Sequence, residues 1–187
     1  MRSNVKVMLT VLFDSRGVVN HEYLPQGQKI NKEYNLEVLR RLRDAVRCKK
    51  PDLWAGGTWQ LHHDNAPAHS SQLIQTFLAK HNILVVRQVP YSHDMAPCDF
   101  WLFPHLEKQL KGTRFESRDE IIRNTTAKLY SIRKEAFQKC FKQWRNRWEK
   151  VCSVTRRLLR RGLGLQTSRR VNVFFPAKCQ IIFEQAT

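Results

Sequence analysis

Trp59-Gln60-Leu61-His62-His63 alternates apolar and polar positions and runs into Asp64; a helical segment follows from about Ala68 to Lys80, carrying Leu73, Ile74, Phe77 and Leu78; Ile83-Leu84-Val85-Val86 closes the unit as a short apolar run. The order strand, helix, strand at this length predicts a βαβ unit, hence a parallel pair and a right-handed crossover. Sites in such sheets form in the crevice beyond the carboxyl ends of the strands. Asp64 follows the first strand at that crevice.

Upstream, Val5 to Phe13 is apolar and β-branched, Asp14-Ser15-Arg16-Gly17 has turn chemistry, and Val18 to Leu24 resumes a strand pattern, which together predict a β-hairpin. Lys6 and Thr10 interrupt the first stretch and no small-residue cleavage site follows, so it reads as a strand rather than a secretory leader. Pro25 and Gly27 end the hairpin. Asn31 then offers an N-cap to a helix with Leu36, Leu39, Leu42 and Val46 at helical spacing, which should stop before Pro51.

Downstream, a helix is expected to open near Asp94, with Pro97 in an early turn and Asp99 close behind; Pro104 must kink or split it. Phe137, Phe141, Trp144, Trp148 and Val151 step by three or four along a later helix, so this aromatic stripe is assigned to the core. From Ser153 the character changes to an arginine-crowded stretch in which Val171 to Phe175 and Ile181 to Phe183 look strand-like. The pattern gives this tail no place in the core, and residues 153–187 are set apart from a folded unit over 1–152.

A chain of 187 residues is long enough to bury a core without disulfides or a structural metal. Hydrophobic residues at 42% and charged residues at 26% match ordinary globular usage, and no apolar run reaches the ~18 residues of a spanning helix, so a membrane protein is not expected. The five cysteines are odd in number and form no CxxC pair, which indicates neither a disulfide framework nor a zinc ribbon and suits a reducing setting. Net charge is +17, and residues 108–170 hold 19 basic against 5 acidic side chains. So basic a surface attracts polyanions, and its C-terminal half is the expected footprint for nucleic acid.

Asp64 and Asp99 are the candidate chemical residues. Converging carboxylates suit hard divalent cations such as Mg²⁺, although an N-cap or a surface carboxylate equally explains either aspartate taken alone. His62, His63, His69 and His81 do not assemble into a closed zinc set.

The wording around the two aspartates adds more. His63-Asp64-Asn65-Ala66-Pro67-Ala68-His69 and Tyr91-Ser92-His93-Asp94-Met95-Ala96-Pro97-Cys98-Asp99 resemble the two signature motifs of mariner-type transposases, with 34 residues between the aspartates as in that group. The likeness extends through Val7 to Gly17, Tyr34 to Arg43, Phe100 to Pro104 and Arg147 to Lys150, covering roughly residues 4–152. His93 departs from the proline usual at its place.

The resemblance implies an α/β fold: a truncated ribonuclease-H-like domain with a mixed sheet flanked by helices and its first central strand missing. It implies that Asp64 and Asp99 are the second and third catalytic aspartates, ligating Mg²⁺ or Mn²⁺ for DNA strand cleavage and transfer, and it implies DNA as partner, homodimers and a nuclear location. The first aspartate and the helix-turn-helix DNA reader are expected upstream of the hairpin. Asp14 is a weak substitute, since it should sit at the opposite edge of the sheet from Asp64. The expected function is thus a transposase catalytic-domain fragment, inactive alone; the alternative is a non-catalytic nucleic-acid-binding remnant or domesticated interaction module.

Overall fold

The computed structural model describes residues 7–57, 59–64, 66–88, 95–160 and 178–184, the last of these, together with 87 and 154–160, by backbone alone. The hairpin forms as β1 (Leu9–Asp14) and β2 (Gly17–Tyr23), antiparallel, with an irregularity between Leu12 and Phe13. Gly17, at φ 135°, sits where the turn needs a backbone that side chains disfavour.

Helix α1 (Lys32–Lys49) is capped by Asn31, whose side chain accepts from Tyr34 N at 2.8 Å. It ends before Pro51, which instead opens a short helix, α2 (Pro51–Gly56). Strand β3 (Trp59–His63), helices α3 (Pro67–Ser70) and α4 (Gln72–Lys80), and β4 (Leu84–Arg87) form the expected unit, with β3 and β4 parallel.

The segment around Asp99 departs from a plain kinked helix. Cys98–Leu102 is a π-helical turn, joined directly to α5 (Phe103–Leu110). Pro104 has no N–H to return to the carbonyl one turn back, and Phe103 N reaches Cys98 O instead, so the register resets through a wide turn. Helix α6 (Arg118–Tyr130) is capped by Ser117, whose Oγ accepts from Glu120 N at 3.2 Å, while the Glu120 carboxylate accepts from Glu116 N at 2.8 Å. Helix α7 (Lys134–Arg160) is a single 27-residue rod, longer than its aromatic stripe.

The sheet order is β2-β1-β5-β3-β4, where β5 is Lys178–Glu184. A strand from the stretch with no assigned place in the core therefore stands at the centre of the sheet. It runs parallel to β1 and antiparallel to β3.

Both faces of the sheet are covered. Leu12, Val19 and Leu61 pack with Val38, Leu39, Leu42 and Val46 of α1, Leu53 of α2, and Ile74 and Leu78 of α4. Leu9, Val11 and Phe13 pack on the other side with Cys98, Leu102, Phe103, Leu106, Leu129 and Phe137. The alternation along β1 assigns its residues to the two layers, and every one of them is buried.

Candidate metal and nucleic-acid site

Asp64 leaves β3 at its carboxyl end, and its carboxylate starts the next helix. Oδ1 accepts from Ala66 N at 3.0 Å, an Asx turn that leads Pro67 into the first turn of α3. His69, 1% exposed, brings Nδ1 to 2.6 Å of the same Oδ1. His63 Nδ1 donates to the Asp64 carbonyl at 2.8 Å, and the His63 and His69 rings meet edge-on at 5.1 Å. Asn35 Nδ2 donates to Ala68 O at 3.2 Å and ties this short helix to α1. The Asp64 side chain, 39% exposed, is thus positioned yet open to solvent.

Asp99 is exposed on the π-helical turn, whose neighbours Cys98 and Leu102 are buried in the second core cluster. Trp144 of α7 links this segment to β3: Nε1 donates to Met95 O at 2.8 Å, and the indole lies 5.0 Å from the His62 ring. One buried side chain therefore touches the lead-in to each aspartate. Arg147, one turn along α7, places its guanidinium 4.1 Å over the Phe100 ring. His62 Nδ1–H donates to Val86 O at 2.9 Å, and burial pushes its pKa down to about 4, so it is neutral near pH 7. Cys98 is disulfide-bonded, a cross-link that an odd cysteine count without CxxC does not foreshadow. Cys48, Cys140 and Cys152 are free thiols.

Asp14, the other candidate, lies elsewhere. Since β5 is parallel to β1 and antiparallel to β3, the carboxyl ends of β1 and β3 open on opposite edges of the sheet. Asp14 is 4% exposed there, with Oδ2 2.8 Å from Lys50 Nζ and Oδ1 accepting from Arg16 N. Its charge is already matched.

The first part of the aromatic stripe of α7 is core, as expected, with Phe137 and Trp144 buried and Phe141 packed beside them, whereas Trp148 and Val151 are only partly buried. The opposite face of the same helix exposes Lys139, Lys142, Arg145 and Lys150. That polarity follows from the 3.6-residue repeat, and it sets a row of cations on the helix whose inner side braces Met95. The contribution of His69 was visible only as a motif member; its burial against the Asp64 carboxylate is a tertiary result.

Among the described residues no group of three or more His, Cys, Asp or Glu is placed to hold an ion. Hard oxygen donors half open to solvent fit Mg²⁺ or Mn²⁺, which keep several waters or phosphate oxygens of their own.

Residues 1–55 match the family model described as Transposase (partial DDE domain). Mariner Mos1 transposase of Drosophila mauritiana is 31% identical over 121 residues, 64% of this chain and 35% of that protein. Histone-lysine N-methyltransferase SETMAR of Homo sapiens is 30% identical over 122 residues, 62% of this chain and 17% of that protein. The chain therefore spans well under half the length of these curated relatives. The Mos1 catalytic domain solved with Raltegravir and Mg superposes with a TM-score of 0.69 at 27% identity, over 73% of this chain and 68% of that one. The Mos1 paired end complex with Mn gives 0.67 at 27%, over 73% and 40%. The motifs, the sheet and these likenesses support a fragment similar to the ribonuclease-H-like catalytic domain of mariner-type transposases over about three quarters of the chain.

Proposed function

We propose that this chain binds DNA through its basic C-terminal helices and holds a divalent cation, Mg²⁺ or Mn²⁺, between Asp64 and Asp99, without cutting DNA on its own. When bound, such a cation would polarise a phosphodiester and lower the pKa of an attacking water or hydroxyl. The chain's own part is to fix Asp64 through Ala66 N and His69, and to brace the Asp99 segment through Trp144. Lys139, Lys142 and Arg145 would meet the phosphate backbone. Mos1, solved with Mg and Mn and in a paired-end complex with a transposon end, supports both the metal and the DNA reading, and a DNA substrate makes the nucleus the expected location.

The observation that carries the reading of inactivity is the makeup of β5. Its amino end, with Gln180 opposite His63, lies at the Asp64 edge, and its one acid, Glu184, stands opposite Trp59 at the far edge. The central strand thus adds no carboxylate beside Asp64, and Asp14 is committed to Lys50.

The test is nicking of supercoiled plasmid with Mn²⁺ by the parent, Asp64→Ala, Asp99→Ala and Asp14→Ala, alongside filter binding of DNA across a salt series. The expected result is no nicking above background, with DNA affinity falling steeply as salt rises and little dependence on sequence. Nicking by the parent that Asp64→Ala and Asp99→Ala abolish would overturn the inactive reading; salt-insensitive binding would overturn the electrostatic one.

A further inference from the structure

Among the described residues, β5 joins two halves of the sheet that no other strand connects. Thr10 to Phe13 of β1 register with Lys178 to Ile181, and Trp59 to His63 of β3 register with Glu184 to Gln180. Without it, the β1–β2 hairpin and the β3–β4 pair would each present an unpaired inner edge, and the backbone N–H and C=O groups of β1 and β3 that face the gap would lose their ladder partners. Each such orphan costs roughly as much as a lost hydrogen bond. The gap between β1 and β3 therefore demands a strand.

Its chemistry is also defined. With helices over both faces of the sheet, a middle strand should be a continuous apolar run, and Ile181-Ile182-Phe183 is one, with Lys178 and Glu184 at its ends. The direction of the occupant is not dictated by the backbone. Since β1 and β3 run antiparallel to each other across the gap, a strand of either polarity makes one parallel and one antiparallel ladder.

We propose that the gap between β1 and β3 is a binding site for an extended peptide with an apolar centre, filled here by the chain's own segment 178–184 and open to the same segment in trans when its own is prevented from pairing.

The experiment uses the full chain and its Ile181→Pro variant, since proline removes a ladder N–H and is not tolerated mid-sheet. Hydrogen exchange of the parent should show amides 178–184 protected as strongly as those of 9–13 and 59–63. A fluorescein-labelled peptide of residues 177–185 should bind the variant at least about tenfold more tightly than it binds the parent, whose own strand competes at high effective concentration. The same peptide with Ile182→Lys should not bind. If the variant is unfolded, addition of the unmodified peptide should restore its helical circular dichroism. Freely exchanging amides at 178–184 in the parent would overturn the proposal, as would equal peptide binding by parent and variant, or an unfolded variant that the peptide does not restore.

Discussion

Asp14 and Asp64 both stand at the carboxyl end of a strand of one sheet, and the sheet treats them oppositely. Asp14, 4% exposed, faces Lys50, itself only 14% exposed, across 2.8 Å. Asp64, 39% exposed, is held on one oxygen by a backbone N–H and by His69 and remains open to solvent. A buried, matched carboxylate stabilises the fold, whereas the proposed metal role falls to the one held at the surface. The contrast teaches that strand-end position alone does not mark a chemical residue; what the neighbouring helix offers does. Lys50 ends α1 beside Asp14, and the turn into α3 supplies Ala66 N and His69 beside Asp64.

The sharpest way to break this comparison is Asp14→Ala, which leaves the Lys50 ammonium largely buried without its partner. The expected loss is about 3 to 5 kcal/mol, read as a fall in the urea midpoint, and Lys50→Met in the same background should recover part of it. Asp64→Ala, losing the contact to Ala66 N, should cost only about 1 kcal/mol. Equal losses would erase the distinction.

A second test concerns metal. Asp64→Asn should weaken Mn²⁺ binding, measured by titration calorimetry, with the melting temperature little changed, and His69→Ala should weaken it by about tenfold through misplacement of the carboxylate. Asp14→Asn should leave Mn²⁺ affinity as it was. A metal affinity that follows Asp14 would reverse the assignment of the two edges.

Trp144→Phe sharpens the comparison from the other side. It removes the donor to Met95 O and should cost about 1 kcal/mol. Amide exchange should quicken at 95–102 and not in β1 or β2. Uniform quickening would mean that Trp144 supports the whole core rather than the Asp99 segment.

The smallest effect is chemical. Burial pushes the Cys140 thiol up to about 12, while Cys48 and Cys152 are exposed. Iodoacetamide at pH 8 should therefore modify Cys48 and Cys152 in the native chain and reach Cys140 only on unfolding. Early labelling of Cys140 would show that the layer between α7 and the sheet opens readily.

Much of this was legible in the sequence. Apolar alternation and turn residues gave the hairpin, and the strand–helix–strand spacing gave the parallel pair. The 3.6-residue repeat of α7 separated its core face from its basic face. The Ser117-x-x-Glu120 spacing that starts α6 is a signal of the same local kind, with Ser117 Oγ accepting from Glu120 N. Other features were hidden. The π-helical turn at Cys98–Leu102 depends on how Phe103 N finds Cys98 O once Pro104 follows, and short-range pattern rules do not anticipate a wide turn.

By itself the sequence determined the local elements, the basic surface and the two aspartate motifs, because propensity, periodicity and charge act over a few residues at a time. Only the tertiary structure decided that Asp14 is neutralised by Lys50, that His69 is buried against Asp64, and that a strand from the arginine-rich tail stands between β1 and β3. The physical reason is that these outcomes depend on which unsatisfied groups meet across large separations. Ile181-Ile182-Phe183 looked like a strand without a place; the unpaired inner edges of β1 and β3 supplied one.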